Sequence, residues 1–566
     1  MSLTFSSIEP RTFYSVSTHN ASSGPILVRV PQFPRRLASL VLTLCVLLFL
    51  WLPPLQLYGE ALRQIVLKDP TRLLEALPLA PLPRILFLNT AILCVLSAAL
   101  AVLFGLPVGW LMARASQRIR TFVMLLAALP LALPPMLMAT AWLEITRTPP
   151  ARSLASLGAT TASPFPPVLI ASVLLALCYF PLPAFAINAA LRTIPSETED
   201  AARLAGGAWS VWRGVLLPVL APALWGAAGL VAALAMWEMG APDLLDARTY
   251  SVQIYREVNA VERHNPALAA LPMLFLGVLA FSPALRALQK YRTGRGDAPR
   301  GSAVSGLALV LTLLLFIASP LAPLVIFGLQ ARPLDVFPRI WNANSVELEN
   351  SIMLATLGSL GITVLAFCLV TSWRRWPIRS RNRALAMCVA PLLVPPVLSG
   401  IAIIQFYNRP AFALIYGGLA PTGNPILDPL SDWLSRYAVM LIGYTVRFLP
   451  LAILFLHEAM NRIDKSQVEA AEGLGAGEAK VTLTIVWPAL KPALAGTFAL
   501  IWALCAGELS TSVLINAPGG QTLPVPIFNL MHIGSTAEVA ALSLTLFALS
   551  GLAAMLGFRA LRQTNT

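Results

Sequence analysis

Glu238 and Glu508 each stand twenty residues beyond a proline, Pro218 and Pro488, at or near the end of an apolar run, LVAALAMWEMG and LIWALCAGELS. An ionisable group at such depth is costly and usually faces a cavity or a partner, so the pair marks a candidate path for a charged solute. Two carboxylates facing one another would suit a hard cation that prefers oxygen ligands. The competing reading is that each anchors the end of its helix by local pairing, with backbone amides or with Arg248. Pro134-Pro135 and Pro395-Pro396 interrupt apolar runs in equivalent places. A proline inside a helix frees a carbonyl and bends the chain, which is tolerated where the backbone meets protein or a water-filled cavity. These four prolines join the path candidates.

No other constellation points to catalysis, so no catalytic residue, metal site or bound cofactor is expected. The four histidines are scattered without an HExxH pattern. The six cysteines all fall in apolar runs without a CxxC pair and read as small core residues. The stretch VEAAEGLGAGEAK, Val468 to Lys480, has the glycines of a phosphate loop. It lacks the GK that would follow, and an apolar helix ending in HEAMNRIDKS precedes it where a strand is required.

The elements that must position these residues follow from composition. Of 566 residues, 57% are hydrophobic and 12% charged, against about 25% charged in soluble proteins. Mean hydropathy is +0.74. The chain reads as an all-α integral membrane protein. At about twenty apolar residues per span, candidate helices fall near 37–57, 86–112, 121–143, 167–190, 222–241, 267–286, 303–328, 350–372, 384–406, 437–457, 493–515 and 537–557, roughly twelve.

Forty Lys and Arg against twenty-six Asp and Glu give a net charge of +14. In a soluble chain that would invite a nucleic-acid reading. Here Arg35-Arg36, Arg114/Arg118/Arg120, Lys290/Arg292/Arg295/Arg300, Arg374/Arg375/Arg379/Arg381/Arg383 and Arg559/Arg562 occupy every second connection. Basic short loops mark the cytoplasmic side, which places both termini there. No nucleic-acid partner is expected. Residues 1–34, polar and nearly acid-free, read as a disordered cytoplasmic tail leading into a retained first helix.

An internal repeat resets the remaining inferences. An offset of 270 superposes Pro218 on Pro488, Arg192 on Arg462, Ser196 on Ser466, Glu199 on Glu469, Leu204 on Leu474, Gly207 on Gly477 and Glu238 on Glu508. Upstream, an offset of 261 places Asn89 on Asn350 and Pro134-Pro135 on Pro395-Pro396. The chain reads as two six-helix halves, 35–290 and 303–566, joined by a cytoplasmic linker at 291–302. With an even number of spans in each, the halves form a parallel repeat.

Both copies of the segment between the fourth and fifth spans, 196–222 and 466–492, begin with a capping-box pattern, Ser196-x-x-Glu199 and Ser466-x-x-Glu469. A short helix is expected at each. In the first, Ala201, Leu204, Ala205 and Ala208 follow one apolar face. Glycines then end each helix, and a second amphipathic segment leads to Pro218 or Pro488.

EAAEGLGAGEAKVTLTIVWP, 469–488, resembles the EAA loop of binding-protein-dependent ABC importer permeases, with Glu469, Ala470, Ala471, Gly475, Ile485 and Pro488 in place and Trp487 where Leu is usual. The first copy departs from the pattern. In the gapless register it reads Glu199-Asp200-Ala201 with Ala205 at the glycine position; matching Asp200-Ala201-Ala202 and Gly206, followed by Gly207, leaves the loop one residue short. The resemblance covers nearly the whole chain as two fused permease domains. It implies that each loop is a coupling helix seated in a cytoplasmic ATPase subunit. ATP would be used by those subunits and not bound by this chain. The implied partners are two copies of that ATPase, an external or periplasmic solute-binding protein and membrane lipid, in a bacterial inner membrane. Among fused types, the iron(III) permeases look most similar, with thiamine, aminoethylphosphonate and polyamine permeases as alternatives. An ion-coupled secondary transporter is the competing class, and the paired loops favour the ATPase-driven one.

Overall fold

Apolar runs of about twenty residues can satisfy their backbone in a bilayer only by closing hydrogen bonds within the run, and every regular element among the described residues is helical. The computed structural model describes residues 33–68, 81–147, 167–258, 271–279, 306–412, 423–534 and 536–562. In the first half these form α1 (Phe33–Lys68), α2 (Pro81–Arg114), α3 (Gln117–Ala132), α4 (Pro135–Arg147), α5 (Pro167–Tyr179), α6 (Pro181–Leu191), α7 (Ser196–Ser210), α8 (Leu217–Trp237), α9 (Gly240–Leu244) and α10 (Tyr250–Val258). The second half comprises α11 (Gly306–Phe316), α12 (Ala322–Gln330), α13 (Val336–Ser372), α14 (Ile378–Val389), α15 (Pro396–Tyr407), α16 (Leu427–Asn461), α17 (Lys465–Gly473), α18 (Glu478–Val481), α19 (Trp487–Ala506), α20 (Ser512–Ile515), α21 (Pro524–Ile533) and α22 (Thr536–Arg562).

Among the described residues, eight helices are long and apolar enough to cross a membrane, and three bent pairs raise the number to as many as eleven. Eleven of the expected spans correspond to these. The twelfth, near 267–286, overlaps helical residues 271–279, and its remainder lies outside the described residues. So do the linker 291–302 and all of the tail except its last two residues, which begin α1. Two of the bends fall at the proline pairs, 87° between α3 and α4 and 97° between α14 and α15. A third bend of 46°, between α5 and α6, was not anticipated; Pro181 at its corner has no N–H to continue the helix.

Close backbone approach fixes α2 on α6. Gly105 and Gly109 lie one turn apart, and a β-carbon at either would stand within 3.0 Å of backbone atoms of Phe180 or Ala184. This is the small-residue packing that lets spans associate without a hydrophobic driving force. The first helix of each half packs on the opposite half. Helix α1 runs along α15 and is bonded to α14 and to the turn after α13: Trp51 Nε1 donates to the Met387 carbonyl (2.9 Å), Trp373 Nε1 to Thr43 Oγ1 (2.9 Å) and Trp376 Nε1 to Ser39 Oγ (2.8 Å). Reciprocally, α11 lies against α2, and Ser319 Oγ, just beyond α11, donates to the Leu177 carbonyl at 2.6 Å.

The cysteine reading needs correction at two positions. Cys94, Cys178, Cys388 and Cys505 are buried, but Cys45 and Cys368 face outward. A thiol behaves as a small apolar group, so in a bilayer an outward position costs little.

Candidate functional site

The two inter-span segments share a construction. Each is a short helix, a glycine break, a π-helical turn and then a long span. The π turns, Val211–Leu216 and Thr482–Val486, precede Pro218 and Pro488 directly, with the amides of Leu217 and Trp487 reaching five residues back to Trp212 and Thr482. A proline cannot donate to the preceding turn, and a widened turn accommodates that missing bond. Val211 and Val481, Leu216 and Val486, and Leu220 and Leu490 are buried as matched pairs, while Ile485 is half-buried and both prolines are exposed.

Neither capping box forms. Helix α7 is preceded by Pro195, makes no side-chain cap, and has Ser196 within its first turn. Glu199 does not reach back; its carboxylate accepts from Arg114 Nη2 at 2.5 Å, and both residues are buried. In the second copy Asp464 takes the cap. Its Oδ1 accepts from Ser466 N (3.0 Å) and Ser466 Oγ (2.8 Å), leaving Glu469 exposed. A carboxylate is the stronger acceptor at the positive end of a helix, so an aspartate two residues upstream displaces the serine.

Arg114 ends α2, and Arg375, 261 residues later, stands just beyond α13. Arg374 and Arg375 both donate to Glu472 Oε1 at 2.9 Å. The same arginine position therefore ties each loop to its span through a different carboxylate, Glu199 or Glu472. In the first half aromatic packing adds to the tie: Trp110 stacks on Trp212 at 5.7 Å, with the Arg114 guanidinium 5.0 Å from the Trp110 ring. In sequence these arginines stand out only as topology signals.

The apolar stripe of α7 faces outward. Ala201, Leu204, Ala205 and Ala208 are all exposed, with Leu204 91% and Leu474 90% accessible. Asp200, Ala470 and Gly206 are exposed as well, and Ala202 and Ala471 are half-buried. The chain breaks at Gly206-Gly207 and at Gly475, where Gly207 (φ 68°) and Gly475 (φ 82°) adopt the left-handed conformation open to glycine.

The path candidates converge on two further matched turns. Glu238 closes α8 and its Oε1 accepts from Gly240 N at 3.1 Å. Glu508, itself buried, lies two residues past α19, accepts from Thr511 N at 2.7 Å, and forms an ion pair with half-buried Arg447. Both carboxylates thus cap the short helix that follows, as local anchors do, and Glu238 takes the amide of Gly240 rather than the Arg248 side chain. Arg248 contributes its carbonyl instead, accepting from Asn89 at 2.9 Å.

That bond has a counterpart. Asn350 donates to the carbonyls of Gly519 (2.9 Å) and Gln521 (3.0 Å). One residue on, Thr90 accepts from Tyr250 N (3.1 Å) and Ser351 from Leu523 N (2.7 Å). The proline elbows touch the same turns. A β-carbon on Gly507 would stand 2.9 Å from Pro134 Cγ, and one on Gly240 would stand 2.9 Å from Met136 Cβ, the residue after Pro135. The Pro396 carbonyl, after Pro395, accepts from Thr511 Oγ1 at 3.5 Å. The first elbow therefore bridges the Glu238 turn of one half and the Glu508 turn of the other.

Sequence reasoning missed Arg447. It sits in LIGYTVRFLPLAILF with no basic counterpart in LALCYFPLPAFA of the first half, and a lone charge in an apolar run was the available signal. Among the described residues no three His, Cys, Asp or Glu side chains cluster as a metal site would require.

Helical spans, two matched loops and two matched carboxylate turns define an all-α, multi-pass integral membrane protein. No family model matches the sequence. Over 378 residues, 60% of this chain and 63% of the relative, it is 24% identical to the probable ABC transporter permease protein y4fN of Sinorhizobium fredii. It is 25% identical over 243 residues to the putrescine transport system permease protein PotI of Escherichia coli, covering 40% of this chain and 80% of PotI. It is 34% identical over 169 residues to the putative 2-aminoethylphosphonate transport system permease protein PhnU of Salmonella typhi, covering 27% and 58%. The chain is a homologue of ABC transporter permease proteins.

Proposed function

We propose that this chain is the membrane-spanning permease subunit of an ATP-driven importer. Its halves, 35–290 and 303–566, would form the two sides of one translocation path. The observation that carries this reading is the pair of loops at matched positions, each turning an exposed leucine away from the chain. An unpartnered apolar side chain on a short surface helix, joined through Pro218 or Pro488 to a spanning helix, suits a handle that transmits rigid-body motion. Two copies of a cytoplasmic ATPase would grip these coupling helices, and an external solute-binding protein would deliver the solute. Basic connections on the loop side support cytoplasmic termini in a bacterial inner membrane.

The test is purification in detergent after co-expression with ABC ATPase subunits from the same organism. A stable complex whose ATP hydrolysis drives uptake is expected. Uptake under an ion gradient without any ATPase would instead establish a secondary transporter.

The relatives named for putrescine and 2-aminoethylphosphonate favour a solute bearing a protonated amine over iron(III). Glu238, held by the backbone amides of Gly240 and Ala241 and near Arg447, whose direct ion pair is with Glu508, supplies a carboxylate such a group would meet. Glu238→Gln should lower uptake of the amine about tenfold, equivalent to ~1.4 kcal/mol, while ATPase co-purification stays unchanged. Normal uptake would remove Glu238 from the path.

A further inference from the structure

The inward faces of the two loop helices match better in one register than in the other. On α7, before its glycine break, the residues turned toward the chain are Glu199, buried, and Ser196 and Ala202, half-buried; on α17 they are Val468, Ala471 and Glu472, all half-buried. Aligning these faces places Asp200 on Glu469, Ala201 on Ala470, Ala202 on Ala471 and Gly206 on Gly475. Asp200 and Glu469 are both exposed, and neither side chain bonds to another described residue. The gapless alignment, which puts Glu199 on Glu469, would pair a buried carboxylate held by Arg114 with a fully presented one. Burial separates the two registers because successive residues on a helix point about 100° apart.

We infer that the acid presented to the ATPase by the first loop is Asp200, and that Glu199 is a positioning residue working through Arg114. This rests on the importer reading above. Glu199 fixes α7 to the end of α2, so that Asp200 and Leu204 point outward together. The leucines then differ in placement: Leu204 follows Asp200 by four residues, whereas Leu474 follows Glu469 by five. The extra residue carries Leu474 past the end of α17, to its C-cap position, while Leu204 stays within α7. Two identical ATPase subunits therefore meet docking faces with matched acids and displaced leucines.

The experiment measures ATPase affinity for the purified full-length chain in nanodiscs, with monodisperse elution as the check on folding. Asp200→Lys and Glu469→Lys should each weaken binding about tenfold or more. Glu199→Gln keeps an acceptor for Arg114 and should stay within about twofold of the parent, whereas Glu199→Ala should weaken binding and make the segment around Gly206 readily cleaved by protease. Rescue by the glutamine identifies positioning, since a docking carboxylate would lose its charge in either variant. Wild-type binding by Asp200→Lys together with a large loss in Glu199→Gln would overturn the assignment. An ATPase that fails to bind the parent chain would overturn the importer reading instead.

Discussion

Replacing Arg447 with methionine is expected to destabilise the folded chain by about 3–5 kcal/mol, because it strands the Glu508 carboxylate without its partner. Glu508 is 3% exposed at its side chain and Arg447 18%, so water cannot take over the lost contact. Among the described residues, only the Thr511 amide would remain bonded to that carboxylate. The second substitution, Glu508→Gln, should recover most of the loss when added to Arg447→Met, since the pair is then removed together and no charge stays buried. Unfolding in graded SDS, followed by tryptophan fluorescence, reads both effects. Arg447→Met with an unchanged unfolding midpoint would show that the ion pair contributes nothing to the fold.

Gly109→Val is expected to be as damaging for a different reason. Its β-carbon would stand 2.6 Å from the Ala184 carbonyl oxygen and 2.7 Å from Ile187 Cβ, so α2 and α6 would have to part. Overpacking typically costs 1–3 kcal/mol, and a clash with backbone cannot be relieved by a rotamer change. The monodisperse fraction in fluorescence-detected size exclusion should fall several-fold. Gly361→Ala is the matched control, because nothing lies within 4 Å of a β-carbon there. Parent-like elution of Gly109→Val would mean that the two helices are not in backbone contact.

The spans and the proline elbows were legible because they depend on local chemistry. Twenty apolar residues specify a span wherever they occur, and Pro134-Pro135 or Pro395-Pro396 breaks a helix regardless of its neighbours. The matched bonds of Asn89 and Asn350 follow the 261-residue offset visible in the sequence. The capping boxes failed because local pattern was set against stronger competitors. Asp464 stood close by, but Arg114 lies 85 residues from Glu199, and no windowed reading brings them together. Arg447 was overlooked since one charge hardly lowers the average of a long apolar run. Gly105 and Gly109 form a spacing motif on α2, yet nothing in the sequence says that α6 is what approaches them. For the loops, sequence left two registers open, and only burial distinguishes them.

The exchanged first helices bear on how the chain is made. Helix α1 is synthesised well ahead of its partners: those of Trp51, Thr43 and Ser39 lie at Met387, Trp373 and Trp376, more than three hundred residues later. Through most of translation α1 must wait in the lipid without its final neighbours. Carrying both halves on one polypeptide guarantees that the awaited surface arrives from the same nascent chain, at a high local concentration, rather than from a separately synthesised subunit that must be found by diffusion.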